Sequence, residues 1–279
     1  MRREIVILFL LLPLNSISFA QQNLPAPLEK LFTKGIEELQ SGDLAAAEKT
    51  FLEALRQGGK HPLVYHNLGV ISQQRGDHQQ AVVHFRAAIR LQPNYGPSRL
   101  LIGSSLLALG KNAEALSELK RAVNLLPDEP QARLLLARAY EVSGDRLAAV
   151  KEYQKLVELA PRDGEYAYQL GKAYLKLSEW CYQQIARLDP NSARLRQSLG
   201  QEYLLQEKYE LAIGAFQQAA QADPKLPEIH LALALIYLEL KKYDDALAEI
   251  ELELKLVPES KIAQETKKKI EVAKASSPE

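Results

Sequence analysis

Prolines recur at a fixed interval along most of this chain, and the interval restricts what the chain can fold into. They stand 34 residues apart at Pro93, Pro127 and Pro161, and again at Pro190, Pro224 and Pro258. Proline cannot continue a helix, because it lacks a backbone N–H and its ring clashes with the preceding turn. A helix breaker at every step therefore indicates a series of equal short units rather than one or two large domains.

Two further patterns keep the same 34-residue step. An alanine is followed four residues later by a large apolar residue at Ala47/Phe51, Ala81/Phe85, Ala115/Leu119, Ala149/Tyr153, Ala212/Phe216 and Ala246/Ile250. A small residue recurs at Gly35, Gly69, Gly103, Ala137, Gly171, Gly200 and Ala234. Residues i and i+4 lie on one helix face, and a small residue lets a second helix approach closely. Each unit is therefore predicted to be two amphipathic helices, which bury their apolar faces only by stacking on neighbours.

These residues resemble the tetratricopeptide repeat family, in particular its exported bacterial members. The resemblance covers residues 28–260 as seven repeats: 28–61, 62–95, 96–129, 130–163, a shortened 164–192, 193–226 and 227–260. It implies an all-α fold, a right-handed α-solenoid of stacked antiparallel helix pairs. In the second repeat we expect helix A over Leu63–Gln74 and helix B over His78–Leu91. Gly76 ends the first helix and Asp77 caps the second.

The fifth repeat is five residues short, and the deficit falls where the turn between its two helices should be. The apolar residues of this stretch keep an unbroken helical spacing at Leu170, Tyr174, Leu177, Cys181, Ile185 and Leu188. One interpretation fuses both helices into a single helix of about 24 residues, roughly 36 Å long. The other keeps two helices, with Ser178 as N-cap after a very tight turn. On either interpretation we expect Cys181 to be buried, because it lies on the apolar stripe.

The first twenty residues have the order of a secretory signal. Two arginines precede a ten-residue apolar run, Ile5–Leu14, and small residues Ser18 and Ala20 follow at the positions of a cleavage site. We predict cleavage after Ala20, a linker over 21–27 and a protein exported to the periplasm or secreted. The alternative is an uncleaved N-terminal anchor that holds the chain at the membrane. Without residues 1–20 the net charge is 33 − 34 = −1, and no second apolar segment is long enough to span a membrane.

The last segment, 261–279, is expected to be a capping helix and tail. Residues Lys261–Lys274 have helical character, with Ile262, Ile270 and Val272 as apolar anchors among many lysines. A terminal helix with one apolar face closes the exposed end of a repeat array. We therefore predict that this helix covers the last repeat and that residues 275–279 fray.

The sequence contains no recognisable catalytic or metal-binding motif. A net charge of zero gives no electrostatic reason for a nucleic-acid partner, and a single cysteine excludes an intramolecular disulfide. There is no phosphate-binding glycine loop, and no two of the five histidines have the spacing of a zinc helix. Gly103-Ser104-Ser105 lies at a helix packing position rather than at a nucleophile elbow. We predict a protein that is not an enzyme and holds no cofactor or metal.

The resemblance implies a binding groove lined by helix A, at the second, fifth, ninth and twelfth positions of each repeat. Transferred to this sequence, the candidate groove residues are Phe32, Leu63, His66, Val70, Leu100, Leu134, Arg138, Tyr168, Lys172, Gln197, Gln201, Leu231 and Leu235. The lysine and asparagine clamp that grips chaperone C-termini in this family is absent from the fifth and ninth positions. A mixed groove with apolar ends suits an extended or helical segment of a protein partner.

Three functional hypotheses follow. The first is a non-catalytic scaffold or adaptor, exported to the cell envelope, that binds a protein segment in its groove. The second is a self-assembling homo-oligomeric solenoid, and the third is an accessory subunit of an envelope enzyme complex. The partner itself is not identified by any residue pattern, because one repeat fold serves many assemblies.

Overall fold

The structure is a computed structural model that describes residues 26–276. The predicted signal peptide, its cleavage site after Ala20 and most of the 21–27 linker lie outside the described residues, as do residues 277–279. Within 26–276 every regular element is an α-helix. The prediction of an all-α fold is confirmed.

The described residues form fourteen helices joined by short loops. They are α1 (Ala26–Gln40), α2 (Leu44–Arg56), α3 (Pro62–Gln74), α4 (His78–Leu91), α5 (Gly96–Ala108), α6 (Asn112–Leu125), α7 (Pro130–Ser143), α8 (Arg146–Leu159), α9 (Gly164–Leu188), α10 (Ala193–Leu205), α11 (Tyr209–Ala222), α12 (Ile229–Glu239), α13 (Tyr243–Leu256) and α14 (Lys261–Ala275). The chain divides into two compact units, of which the first ends at Lys176 and the second begins at Leu177. Each unit is described by itself.

The first unit is a stack of helix pairs. Helices α1 and α2, α3 and α4, α5 and α6, and α7 and α8 pack against each other, and each pair also packs against the next. The recurring small residue is the point of closest approach within a pair. A Cβ added at Gly69 would lie 2.5 Å from the Phe85 ring, and one added at Gly35 would lie 2.8 Å from Phe51. The predicted packing role of these glycines is confirmed.

The loops inside these pairs are capped by aspartates, among them the predicted Asp77. The Asp43, Asp77 and Asp145 carboxylates accept hydrogen bonds from the backbone N–H three residues onward, at 2.9, 2.9 and 3.0 Å. Gly76 precedes one of these caps with a φ of +79°, in the left-handed region that glycine adopts without steric strain. The turn therefore ends one helix and starts the next within three residues.

The second unit makes the same turns without glycine. At the positions that correspond to Gly76 in the 34-residue period it has Glu207 and Lys241, with φ of +57° and +58°. A side chain in this conformation costs roughly 1–2 kcal/mol, because the Cβ crowds a carbonyl oxygen. The loops of the second unit therefore hold strain that those of the first unit avoid.

We expect Lys241→Gly to raise the free energy of unfolding of the second unit by about 0.5 kcal/mol. The relief of backbone strain exceeds the larger chain entropy of glycine in the unfolded state. Chemical denaturation followed by circular dichroism measures the change. Gln218→Gly, at an exposed position inside helix α11, is the opposite control and should destabilise by about 1 kcal/mol. Equal destabilisation by both variants would contradict the strain at residue 241.

A second contact recurs with the repeat period and was not anticipated from the sequence. Arg99 pairs with Glu118 at 2.8 Å, and Arg133, which is 34 residues later, pairs with Glu152 at 3.1 Å. Each guanidinium also donates to the carbonyl of the proline six residues before it. The arginine therefore ties helix A to both helix B and the preceding loop. The 34-residue spacing of these arginines and glutamates was the available sequence signal.

Helix α9 confirms the fused form of the fifth repeat. It runs without interruption for 25 residues, and only Ala173 is buried along its whole length. Gly171, at the packing position of the period, has no atom within 4 Å of where a Cβ would lie. Cys181 is exposed, so the prediction that it is buried was wrong. Because the repeat forms one continuous helix, it has no second helix of its own that could cover Cys181.

In the second unit α10 packs with α11, α12 packs with α13, and α14 packs on α13. Gly200 lies against Phe216 as the glycines of the first unit do against their partners. The end helix was predicted to anchor through Ile262, Ile270 and Val272, and this was correct only for Ile270. Ile262 and Val272 are 64% and 67% exposed. The helix has one neighbouring pair to cover, and the face that it turns toward that pair carries Ala263, Thr266 and Ile270.

Candidate partner-binding face

The thirteen predicted groove residues differ in how deeply their side chains are buried. Five are buried: Phe32, Leu63, His66, Leu100 and Gln197. Val70, Leu134 and Leu231 are half-buried, whereas Arg138, Tyr168, Lys172, Gln201 and Leu235 are exposed. The exposed and half-buried residues are available to a partner, and their binding role stays a prediction.

The buried members of the set are parts of the helix packing. Phe32 is 1% exposed and contacts Phe51 edge to face, with ring centroids 5.9 Å apart. The Gln197 side chain donates to the Pro227 carbonyl at 3.3 Å. The position within the repeat tells where a residue lies along helix A. How deeply its side chain is buried depends on the size of that side chain and on the residues around it.

His66 illustrates this difference. Its Nδ1 lies 2.9 Å from the Ser98 hydroxyl, and its ring contacts Phe85 and Tyr95 at centroid distances of 5.6 and 5.3 Å. Burial lowers the pKa of His66 to about 4, because the charged imidazolium would lose its hydration. Burial likewise raises the pKa of the Tyr95 hydroxyl to about 12. At neutral pH His66 is therefore an uncharged core residue that links α3 to α5.

The accessible surface of helices α3, α5 and α7 is called the helix-A face. It consists of Val70, Gln73, Ser104, Leu107, Leu134 and Arg138. These helices contact one another directly, since α5 packs on both α3 and α7. The Gln73 amide donates to the hydroxyls of Ser104 and Ser105 at 3.4 and 3.1 Å. Val70 and Leu107 pack against the same buried cluster, so the apolar part of the face is continuous between α3 and α5.

Arg138 provides the available charge on this face. The guanidinium is exposed and lies near enough to Tyr153 to oppose slightly the rise in the pKa of that hydroxyl, but it forms no hydrogen bond or ion pair among the described residues. The nearby Glu141 carboxylate is already occupied, because Lys176 lies 2.7 Å from one oxygen and the Tyr153 hydroxyl donates to the other at 3.1 Å. Burial, with a smaller contribution from Glu141, raises the pKa of Tyr153. Tyr153 therefore stays a neutral donor, and Arg138 keeps its charge available for an anionic group.

The described residues contain no cluster of side chains that could bind a metal ion, since no group of three or more histidine, cysteine, aspartate or glutamate side chains in 26–276 could hold one. Across the same residues, no helix is long and apolar enough to cross a membrane. The buried Glu253 carboxylate serves the fold, since it accepts from the backbone N–H groups of Glu228 and Leu231 at 3.0 and 3.3 Å.

Comparison with protein families agrees with the fold. Tetratricopeptide repeat models match residues 32–96, 72–139 and 106–173, and a TPR repeat model matches residues 200–241. Together these matches cover about two thirds of the chain. The chain belongs to the tetratricopeptide repeat family, whose members are in general non-catalytic protein-interaction scaffolds, and no enzyme family is indicated.

Several solved structures have a similar fold at low identity, and no curated protein matches the chain. A tetratricopeptide repeat protein from Parabacteroides merdae is 17% identical, with 88% of this chain and 98% of that one covered and a TM-score of 0.48. The TPR2AB domain of yeast Sti1, solved as a pHSP90 complex, is 17% identical, with 76% of this chain and 83% of that one covered and a TM-score of 0.46. The APC/C hetero-tetramer Cut9–Hcn1 is 20% identical over 92% of this chain, which spans only 45% of that one, with a TM-score of 0.44.

Proposed function

We propose that this protein is a non-catalytic scaffold or adaptor that binds a segment of another protein on its helix-A face. The observation that supports this most is the exposed Arg138 guanidinium beside half-buried Leu134 on α7. A cation without an internal partner at the edge of an apolar surface is a common feature of protein-binding sites, where arginine is enriched. The repeat family supports the same class of function.

The face also defines the chemistry of the segment that fits it. Val70, Leu107 and Leu134 offer apolar contacts along successive helices, and Gln73 and Ser104 offer hydrogen bonds between them. An extended or helical segment would place apolar side chains against the leucines and a carboxylate against Arg138. A chaperone C-terminus is a poorer candidate, because the lysine and asparagine pattern that would clamp its terminal carboxylate is absent.

Site-specific photo-crosslinking in the cells that make the protein tests this proposal. A photoreactive residue at Gln131, which lies on the same helix as Arg138, is expected to capture one defined protein. The same residue at Arg121, exposed on the helix-B side of the array, is the matched control and should not capture it. Arg138→Glu should abolish the capture at 131, and Arg138→Lys should weaken it. Equal capture at both positions, or capture that survives Arg138→Glu, would contradict the proposal.

We further propose that the scaffold is exported, with its signal peptide removed after Ala20. The support is the basic start, the ten-residue apolar run and the small residues that follow it. Mass spectrometry of the protein recovered from the periplasm or medium should find Gln21 as its first residue. Recovery of a membrane-bound chain that still begins at Met1 would favour the alternative of an uncleaved anchor.

A further inference from the structure

Helix α9 has a row of largely exposed residues, at one end of which the Tyr182 hydroxyl accepts a hydrogen bond from the Ser198 hydroxyl of α10 at 3.0 Å. Tyr168, Leu175 and Tyr182 are 60%, 71% and 42% exposed, and each is seven residues from the next. A seven-residue step keeps side chains on one side of a helix and is the spacing of a coiled-coil seam. This row lies on a different side of α9 from the partly covered residues Leu170, Leu177 and Ile185.

Small residues alternate with the large ones in this row. Gly171 and Ser178 are also seven residues apart and both are exposed, and nothing lies within 4 Å of where a Cβ of Gly171 would be. The resulting order is large, small, large, small, large, at steps of three and four residues. We call the row Tyr168, Gly171, Leu175, Ser178 and Tyr182 the α9 seam.

We propose that the α9 seam pairs antiparallel with the α9 seam of a second copy of this chain. The large and the small residues of the seam occupy the two alternating core positions of a heptad. In an antiparallel pair, each of these positions on one helix lies opposite the other kind of position on the second helix, so large residues face small ones. The register that puts Leu175 opposite Ser178 of the second copy also puts Tyr182 opposite Gly171 of that copy. Each large side chain of the central layers then fills the space above a small one, as close helix packing requires.

Charge selects the same register independently. Lys172 and Glu179 occupy equivalent positions beside the seam, one heptad apart. In the register described, Lys172 of each copy lies across from Glu179 of the other, which gives two symmetric ion pairs. In the single chain the Lys172 ammonium lies 5.5 Å from the centroid of the Tyr168 ring, and the Glu179 carboxylate accepts a hydrogen bond from the Gln183 amide at 3.3 Å. Both charges can therefore re-pair at low cost.

A parallel pair would be poorly matched. It would place Leu175 against Leu175 and Gly171 against Gly171, which alternates crowded layers with empty ones. No oppositely charged residues would face each other across it, because Ala167 and Tyr174 occupy the flanking positions opposite Lys172 and Glu179. The two copies thus form an isologous contact about one two-fold axis. Tyr168 and Lys172 are also among the predicted groove residues, but the α9 seam shares no residue with the helix-A face, so this inference does not depend on the proposed partner-binding function.

Sedimentation at increasing concentration tests the pairing, and the expected result is a reversible monomer–dimer equilibrium in the high micromolar range. Lys172→Glu and Glu179→Lys should each weaken dimerisation at least about tenfold, because each places like charges together on both sides of the axis. The double variant should restore it. Val272→Asp, at an equally exposed apolar residue of α14, is the control and should leave dimerisation unchanged. A monomer at all concentrations, or a double variant that stays monomeric, would overturn the proposal.

Disulfide trapping tests the register. In a Cys181→Ser background, Leu175→Cys and Ser178→Cys chains are prepared separately and then mixed under mild oxidation. The antiparallel register predicts covalent dimers chiefly in the mixture, since residue 175 of one copy faces residue 178 of the other. Efficient trapping of each variant alone, with no gain on mixing, would show parallel pairing and overturn the register. Circular dichroism establishes that α9 remains helical in every variant.

Discussion

Replacing Phe85 with alanine is expected to lower the free energy of unfolding of the first unit by about 3–5 kcal/mol. Phe85 is fully buried, where its ring packs against Gly69 of the facing helix and lies 5.6 Å from the His66 ring. Removal of the ring takes away its apolar contacts and leaves a cavity between α3 and α4. The cavity cannot collapse easily, because α2 and α5 pack against these two helices and hold them in place.

Denaturant unfolding followed by circular dichroism measures this loss. Val83→Ala is the matched control, because Val83 lies on the same helix but is 47% exposed. We expect the control to change stability by no more than about 0.5 kcal/mol. A Phe85→Ala loss as small as that of the control would mean that α3 and α4 are not packed through this ring.

The stability of the first unit is expected to fall as the pH drops from about 6.5 toward 4, and His66 is the cause. Burial holds the pKa of His66 near 4 in the folded state, whereas an unfolded histidine titrates near its ordinary value of 6.5. Between these values the unfolded chain binds a proton that the folded chain does not. The stabilisation is therefore complete above pH 6.5 and is lost below it, by about 1.4 kcal/mol per pH unit and about 3 kcal/mol in all.

His66→Gln isolates this effect, because glutamine does not titrate. Unfolding of both proteins is measured at a series of pH values, and the difference between them is the contribution of His66. The buried His66 is not the only group that titrates here, since burial also lowers the pKa of His61 and of His84. Those two histidines are present in both proteins and cancel in the difference. Parallel pH profiles of the wild type and the variant would contradict this prediction, because they would show that folding does not lower the pKa of His66.

The sequence period was sufficient to predict the helices, their caps and the break in the array. Helix α4 begins and ends at the predicted residues, and Asp77 caps it as expected. The fused fifth repeat was predictable because an unbroken apolar spacing crosses the missing turn. These features depend on local propensity and on the repeat pattern, both of which are present in one sequence.

Depth and exposure were harder to predict, because they depend on which neighbour is present. Cys181 lies on an apolar stripe, yet it is exposed since the helix that would cover it is absent. Ile262 and Val272 are apolar but fall outside the narrow face that α14 buries. Likewise His66 and Leu100 occupy family groove positions but lie in the core. Sequence spacing shows on which side of a helix a residue lies, but packing against neighbouring helices decides how deeply its side chain is buried.

Tightly packed helix pairs are interrupted at the fifth repeat by one exposed helix. Two glycine substitutions test it directly, because Gly69 and Gly171 hold the same position in the repeat. A Cβ at Gly69 would lie 2.5 Å from the Phe85 ring, whereas a Cβ at Gly171 meets nothing within 4 Å. Alanine favours a helix over glycine by about 1 kcal/mol when no contact opposes it.

Unfolding free energies are therefore measured for Gly69→Ala and Gly171→Ala at low protein concentration, where the chain is monomeric. The structure predicts that Gly69→Ala lowers the free energy of unfolding by about 1–3 kcal/mol through overpacking. It predicts that Gly171→Ala raises the free energy of unfolding by up to about 1 kcal/mol. Destabilisation of similar size by both substitutions would mean that the fifth repeat is a packed helix pair, and would contradict this account.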